Sequence, residues 1–373
     1  MGSERKRIVY IHPKNLGYYE DHEIFSLISG FESYIIADNT KIARSFKHYD
    51  KHIVGDYEEV LSPKLYHVQG LKTILHELNP DVVVTKEIFS LQSFLVHKLR
   101  KKFNFIHVII SYENTDFNNS LWGLFPITRI ISYINRDSIF IAVSDAVQRN
   151  LLRVGVKKEN IVRTYTGLFP IQCYDAHNGR KEFRILYIGN LFQNKGIITL
   201  INAVKNIVQD GFENVYLYIA GQGPLSEYVK SASKDLKNIS YLGYVSEEKK
   251  MELLNNSDLF VYPSEDMYFF RIIPRWREQT ATSVMESMRC GLPVIASNSG
   301  SLPEMMGRDN VIFEQGSAGD LKDKIMMVYR NEILRNELKS YFKDRFMHDF
   351  DIQKNAKKIS EQIDKEMREK SRI

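Results

Sequence analysis

Cysteine is scarce in this chain: Cys173 and Cys290 are the only two in 373 residues. Two cysteines supply neither a disulfide framework nor metal-ligand spacing, so a reducing compartment is expected. Long apolar runs are missing as well. No stretch approaches the length that crosses a bilayer as a helix. The charged N-terminus lacks the apolar core of a secretory signal, and Lys6 stands where a myristoylation signal needs Ser or Thr. The expected location is cytoplasmic. Net charge is only +5, and no basic stripe is interleaved with aromatics, so a nucleic-acid partner is not expected. The mild positive balance suits an anionic small substrate or an anionic lipid surface. Repeats and low-complexity tracts are absent. Asp349-Phe350-Asp351 imitates an Asp-x-Asp metal motif, but it lies just before a helical stretch and reads as an N-cap. No metal site and no cofactor are expected.

The chain does have the composition of a globular protein, 43% hydrophobic and 26% charged, at a length that suggests two domains. Short apolar strands alternate with helical segments. In the first half they are Arg7–Ile11, Ser33–Ala37, Asp81–Thr85, Phe105–Ser111, Ser138–Val143 and Asn160–Thr164. In the second half they are Phe183–Ile188, Asn214–Ala220, Ile239–Leu242, Leu259–Tyr262, Val294–Ser297 and Val311–Phe313. Such alternation gives an α/β fold of two doubly wound, Rossmann-like domains. Phe169 to Lys181 is polar and irregular and reads as the linker. The expected division is 1–168, a linker 169–181, 182–346, and a C-terminal helix within 347–373 that returns toward the first domain.

Ligands of such sheets sit beyond the carboxyl ends of strands. Four of these places carry chemistry. Tyr112-Glu113-Asn114 follows a buried strand, and Glu113 is either a site carboxylate or an ordinary loop residue. Gly17 lies in the first strand's loop. Gly189-Asn190-Leu191 and Lys195-Gly196 follow the strand Phe183–Ile188, and Gly221-Gln222-Gly223-Pro224 follows the next. Arg275 to Gly300 is the richest stretch. Val284, Met285 and Met288 recur at helical spacing, with Thr280, Thr282 and Ser283 as candidate N-caps and Gly291 as the stop. A helix start offers unpaired N–H groups and a positive dipole end, a natural seat for a diphosphate. Glu278 and Glu286 flank it. Carboxylates repel phosphate, so both suit neutral hydroxyls; alternatively both are solvated helix-start residues.

The run Glu278 to Pro293 resembles the signature of retaining glycosyltransferases of the GT-B fold, family 4 in particular. That pattern is a Glu, seven residues, a second Glu, a small-residue turn and Gly-x-Pro-Val. Ser299-Gly300-Ser301-Leu302-Pro303-Glu304 is similar to the family as well. The resemblance implies two domains facing across a cleft, with Glu278 on the donor sugar, Glu286 on the nucleotide ribose and Lys195 on the diphosphate. It also implies that Gly221 and the turn Gly243-Tyr244-Val245-Ser246 lie against the nucleotide, the latter through backbone groups. Two departures stand out. Asn190 replaces the family's Arg, with Arg275 or Arg277 as substitutes for the missing cation. Thr280-Ala281 stands where Phe-Gly is common, and Ala has less backbone freedom than Gly.

The implied function is transfer of a sugar from a nucleoside-diphosphate sugar to a hydroxyl of a saccharide or lipid-linked acceptor, with retention and without metal. The alternatives are a nucleotide-sugar-binding partner impaired in catalysis and a sugar-nucleotide epimerase of the same architecture. A basic helix with Lys98, Arg100, Lys101 and Lys102, and the apolar stretch Ser120–Ile134 with Trp122, Phe125 and Pro126, are the candidate contacts with an anionic membrane surface.

Overall fold

The computed structural model describes residues 5–14, 16, 19–60, 62–115, 134–174, 181–270 and 273–371. Gly17, Trp122, Phe125 and Pro126 lie outside them. The chain forms two compact units, one of Met1–Phe169 with Asp349–Ile373, the other of Pro170–His348.

The first unit is built on a parallel sheet of seven strands. They are β1 (Lys6–Ile11), β2 (Phe31–Ala37), β3 (Lys51–Val54), β6 (Val82–Lys86), β7 (Ile106–Ser111), β8 (Ile139–Ala142) and β9 (Ile161–Arg163), in the order β3-β2-β1-β6-β7-β8-β9. A small antiparallel hairpin, β4 (Tyr57–Val60) with β5 (Ser62–Val68), stands apart from it. The central strands are mostly apolar because both faces of a parallel sheet are covered. Leu71, Leu75 and Val96 from two helices cover one face. Ile352, Ala356, Ile359 and Ile363 cover the other. Their spacing of four, three and four is a helical stripe, and each large aliphatic buried contributes about 1.5–3 kcal/mol. The helix they belong to, Ile352–Lys370, starts at Asp351, whose side chain accepts the Gln353 N–H at 2.9 Å. Asp349-Phe350-Asp351 is therefore a helix cap in fact.

The second unit repeats the design with six strands. They are β10 (Phe183–Ile188), β11 (Val215–Ala220), β12 (Ile239–Gly243), β13 (Leu259–Tyr262), β16 (Val294–Ser297) and β17 (Ile312–Phe313), ordered β12-β11-β10-β13-β16-β17. The segment from Glu265 onward reads as a loop, but it forms a separate hairpin of β14 (Met267–Phe269) and β15 (Ile273–Trp276). Both sheets reverse direction of growth once: between β1 and β6 in the first unit, between β10 and β13 in the second.

One expectation fails outright. Cys173 and Cys290 are bonded to each other across 117 residues of sequence, with Cα atoms 5.1 Å apart. The bond ties the expected linker segment to the C-cap of the helix Thr282–Arg289. Nothing local in the sequence announces a pairing at that separation.

Candidate donor and acceptor sites

In the second unit the reversal point lies between the carboxyl ends of β10 and β13; Lys195 follows β10, Tyr262 closes β13 and Ser264 follows it. Lys195 Nζ donates to Glu278 Oε2 at 2.7 Å and to the Tyr262 hydroxyl at 3.1 Å. Its ammonium also lies 4.6 Å from the Trp276 ring centroid, a cation–π contact. Ser264 Oγ donates to the same Glu278 oxygen at 2.6 Å. Glu278 is 5% exposed, so its charge is held by partners rather than by water.

The backbone of Glu278 is clasped by the turn after β16. Ser301 N–H donates to its carbonyl at 3.0 Å, and its own N–H reaches Ser299 Oγ at 3.4 Å. Gly300 between them has φ +52°, and a Cβ there would run into the Glu278 carbonyl. Only glycine fits so close an approach. That is the physical content of the Ser299-Gly300-Ser301 run. Gly196 behaves alike: its φ is +66°, and a Cβ would meet the Pro263 carbonyl, so Lys195 enters the site over a glycine.

The helix Thr282–Arg289 begins at Ala281 with no side-chain cap. Thr280, Thr282 and Ser283 were each candidates for that role, and none fills it. The first-turn N–H groups of Thr282 and Ser283 thus present donors at the positive end of the helix. Thr280 Oγ1 is closed off from solvent with no partner among the described residues. Ala281 has φ −92°, an ordinary value for a residue with a Cβ, so the replacement of Gly carries no backbone strain.

Glu286, 7% exposed, lies one turn inside that helix. Its Oε1 accepts Lys250 Nζ at 2.6 Å. Burial pushes the Glu286 carboxyl up, with Lys250 opposing. Burial also works against the Lys250 charge, but Glu286 and Glu247 outweigh it and hold the ammonium's pKa above its usual value. Lys250 sits on the helix Glu247–Asn255, which is capped by Ser246 and follows the turn holding Tyr244 and Val245. Tyr244 is 77% exposed. Gly189 and Gly221 are stitched at the strand ends, Gly189 N–H to the Ala220 carbonyl at 3.1 Å and Gly221 N–H to Gly243 at 2.7 Å. Asn190 is exposed. Arg277, a candidate substitute for the missing cation, pairs with Asp266 at 3.2 Å. Arg275 neighbours Trp276 on β15, and strand alternation puts it on the face opposite Lys195. Lys250, Tyr262 and Ser264 were not singled out in the sequence. Their pairings span 36, 67 and 14 residues, beyond any local pattern.

The first unit carries a second polar cluster, at the carboxyl ends of β1, β6 and β7. Buried Asp21 accepts from Thr166 Oγ1 at 2.8 Å and from the Tyr112 hydroxyl at 3.2 Å. Burial raises its pKa, and these bonds and Lys86 oppose the rise. Lys86 Nζ lies 4.3 Å from the Tyr112 ring centroid. Glu113, the candidate catalytic carboxylate, turns back on its own loop: its Oε1 takes the Thr115 N–H at 2.8 Å and the Thr115 hydroxyl. Glu87, which the sequence reading passed over, accepts the Tyr112 N–H at 2.9 Å. On the basic helix, Leu95, Leu99 and Phe103 pack into the core, and Arg100 donates to the Asp137 carbonyl at 3.0 Å. Lys98, Lys101 and Lys102 remain exposed. The apolar face that lipid contact would need is used inside the protein. Among the described residues no helix is long and apolar enough to cross a membrane.

Comparison with known proteins bears on both units. Residues 175–345 match the family model described as "Glycosyl transferases group 1". An uncharacterized glycosyltransferase, MJ1069 of Methanocaldococcus jannaschii, is 23% identical over 95% of this chain and 90% of its own. The crystal structure of Anabaena Alr3699/HepE in complex with UDP superposes with a TM-score of 0.76 at 14% identity, covering 96% of this chain and all of that one, 100%. A glycosyltransferase from Rickettsia africae gives 0.73 at 17% identity, over 96% and 98% of the two chains. Likeness at these identities shows a shared fold.

Proposed function

Starting from a GT-B fold whose residues 175–345 are a glycosyl transferases group 1 domain, we propose that this chain moves a sugar from a nucleoside-diphosphate sugar to an acceptor hydroxyl with retention at the anomeric carbon. The observation that carries the proposal is the buried contact of Lys195 with Glu278 at 2.7 Å, beside an uncapped helix start. The reaction's main electrostatic demand is negative charge growing on the departing diphosphate. Lys195 and the N–H groups of Thr282 and Ser283 meet it, with Thr280 Oγ1 adjacent. Glu278 takes sugar hydroxyls and Glu286 takes ribose hydroxyls. A fixed ammonium and a helix dipole supply what a bound metal supplies elsewhere, so transfer is metal-independent. Unit 1 takes the saccharide or lipid-linked acceptor. UDP is present in the HepE structure, and a uridine donor is accordingly the first to assay.

Glu278→Gln and Glu286→Gln test the reading. Glu286→Gln weakens nucleoside diphosphate and full donor alike. Glu278→Gln spares the diphosphate and penalises donor affinity or turnover. Each effect is about tenfold to a hundredfold, the worth of a charge-assisted hydrogen bond. Transfer persists in excess chelator. Negligible changes in both variants, or an activity abolished by chelator and restored by magnesium, would sink the assignment. Binding of donor without any turnover would favour instead a catalytically impaired binding protein, to which exposed Asn190 points.

A further inference from the structure

The sheet of the first unit reverses between β1 and β6, and open α/β sheets take ligands in the crevice beyond such a reversal. Glu87 is the first residue after β6. Its backbone is left-handed, with φ +64°, in a residue that carries a Cβ. That strain is imposed from outside, since its N–H is fixed to the Ile110 carbonyl at 2.8 Å. Strained residues persist where the surroundings over-determine them, and they cluster at functional sites. The side chain is divided in role. Oε1 caps the Tyr112 N–H at 2.9 Å, whereas Oε2 is closed off from solvent and has no partner among the described residues.

Capping Tyr112 requires one oxygen and no charge, so the structural role leaves Oε2 unexplained. A buried acceptor without a donor is destabilising. The surroundings say what kind of donor fits. Glu113, Asp21 and Glu87 itself oppose an anion. Lys86 already supplies the local cation. A neutral O–H is the group that remains.

We propose that Glu87 Oε2 receives the hydrogen bond of the acceptor's attacking hydroxyl, which makes Glu87 an acceptor-contacting residue of the transfer reaction. This rests on the glycosyltransferase reading above. Burial pushes the Glu87 carboxyl up to about 7; Lys86 and the backbone N–H groups of Tyr112 and Glu113 oppose the rise, and the Glu113 charge adds to it. Tyr66 on β5 faces the same carboxyl. Only the ionised form leaves both oxygens as acceptors, so acceptor use improves as pH rises through about 7.

The test uses the full chain, UDP-glucose as donor and methyl glycosides as acceptors. Glu87→Gln keeps a carbonyl oxygen for the Tyr112 N–H and replaces the second oxygen with a donor. We expect its kcat/KM for acceptor to fall about tenfold to a hundredfold and to lose the pH limb near 7, with UDP affinity unchanged. Glu87→Gly removes the side chain, its cap on the Tyr112 N–H and the φ penalty together; it should transfer as poorly as Glu87→Gln. Wild-type kinetics with an intact pH limb in Glu87→Gln would overturn the proposal, as would wild-type transfer in Glu87→Gly. A wild type that turns over no donor but binds methyl glycosides would refute the glycosyltransferase reading alone. Glu87 would then be judged by calorimetric titration, a loss of glycoside affinity in Glu87→Gln supporting it and equal affinity refuting it.

Discussion

Both units hold buried carboxylate oxygens and treat them in opposite ways. In the second unit Glu278 and Glu286 are buried against lysines, at 2.7 and 2.6 Å. In the first, Glu87 has a buried oxygen with no donor among the described residues, and buried Glu23 accepts the backbone N–H groups of Lys47 and His48. A carboxylate paired with a lysine is fixed in place. An underpaired one holds a protonation equilibrium near neutrality. Under the proposed function, that difference would separate a preorganised donor seat from a responsive acceptor seat.

The largest effect should come from breaking a pair in the second unit. Lys195→Met strands Glu278 in its buried position, and removing one partner of such a pair typically costs about 3–5 kcal/mol. Denaturant unfolding of this variant should show that loss, and the double variant Lys195→Met with Glu278→Gln should recover part of it. A single variant as stable as wild type would mean that the pairing in the second unit is incidental. Next comes the pH response of the first unit. Glu87 and Glu23 are both held up to about 7, from an ordinary value of 4.5. Between those values the folded state binds more protons than the unfolded state, so stability is full below about 4.5 and declines as pH rises through 7. For Glu87 the decline is at most on the order of 3 kcal/mol. Urea midpoints at several pH values should fall along this window in wild type and less steeply in Glu87→Gln; parallel slopes would remove the contrast between the units. The smallest effect concerns the surface of the first unit. Reversing Lys98, Lys101 and Lys102 should weaken sedimentation with anionic vesicles by about 1 kcal/mol per charge at most and leave UDP binding alone. No sedimentation of wild type at low salt would dismiss a membrane role.

Legibility from sequence differed between the units for physical reasons. Phe183–Ile188, Leu259–Tyr262 and Val294–Ser297 were read to the residue, because buried parallel strands are short unbroken apolar runs. Lys195 and Glu278 were found through a motif in which each residue type has its own job. The hairpin Tyr57–Val60 with Ser62–Val68 was missed, since half its residues are polar and it lies outside the main sheet. The helix Glu332–Arg345 was missed for its charge; it buries only Leu338 and Phe342. Glu87 had one visible signal, an ionisable pair Lys86-Glu87 directly after a buried strand. Its unpartnered oxygen depends on packing that no spacing encodes.

The first unit is also the one that begins earliest and closes last. It draws on two stretches of chain with all of Pro170–His348 between them. A ribosome adds that intervening length in roughly ten to forty seconds. Throughout this interval Ile24 and Phe25 lack the stripe of Ile352, Ala356, Ile359 and Ile363 that shares their core. The second unit, continuous in sequence, is free to fold as it emerges. The nascent protein thus completes its second unit before its first, and the sheet face awaiting its last helix is the surface a chaperone would have to shield.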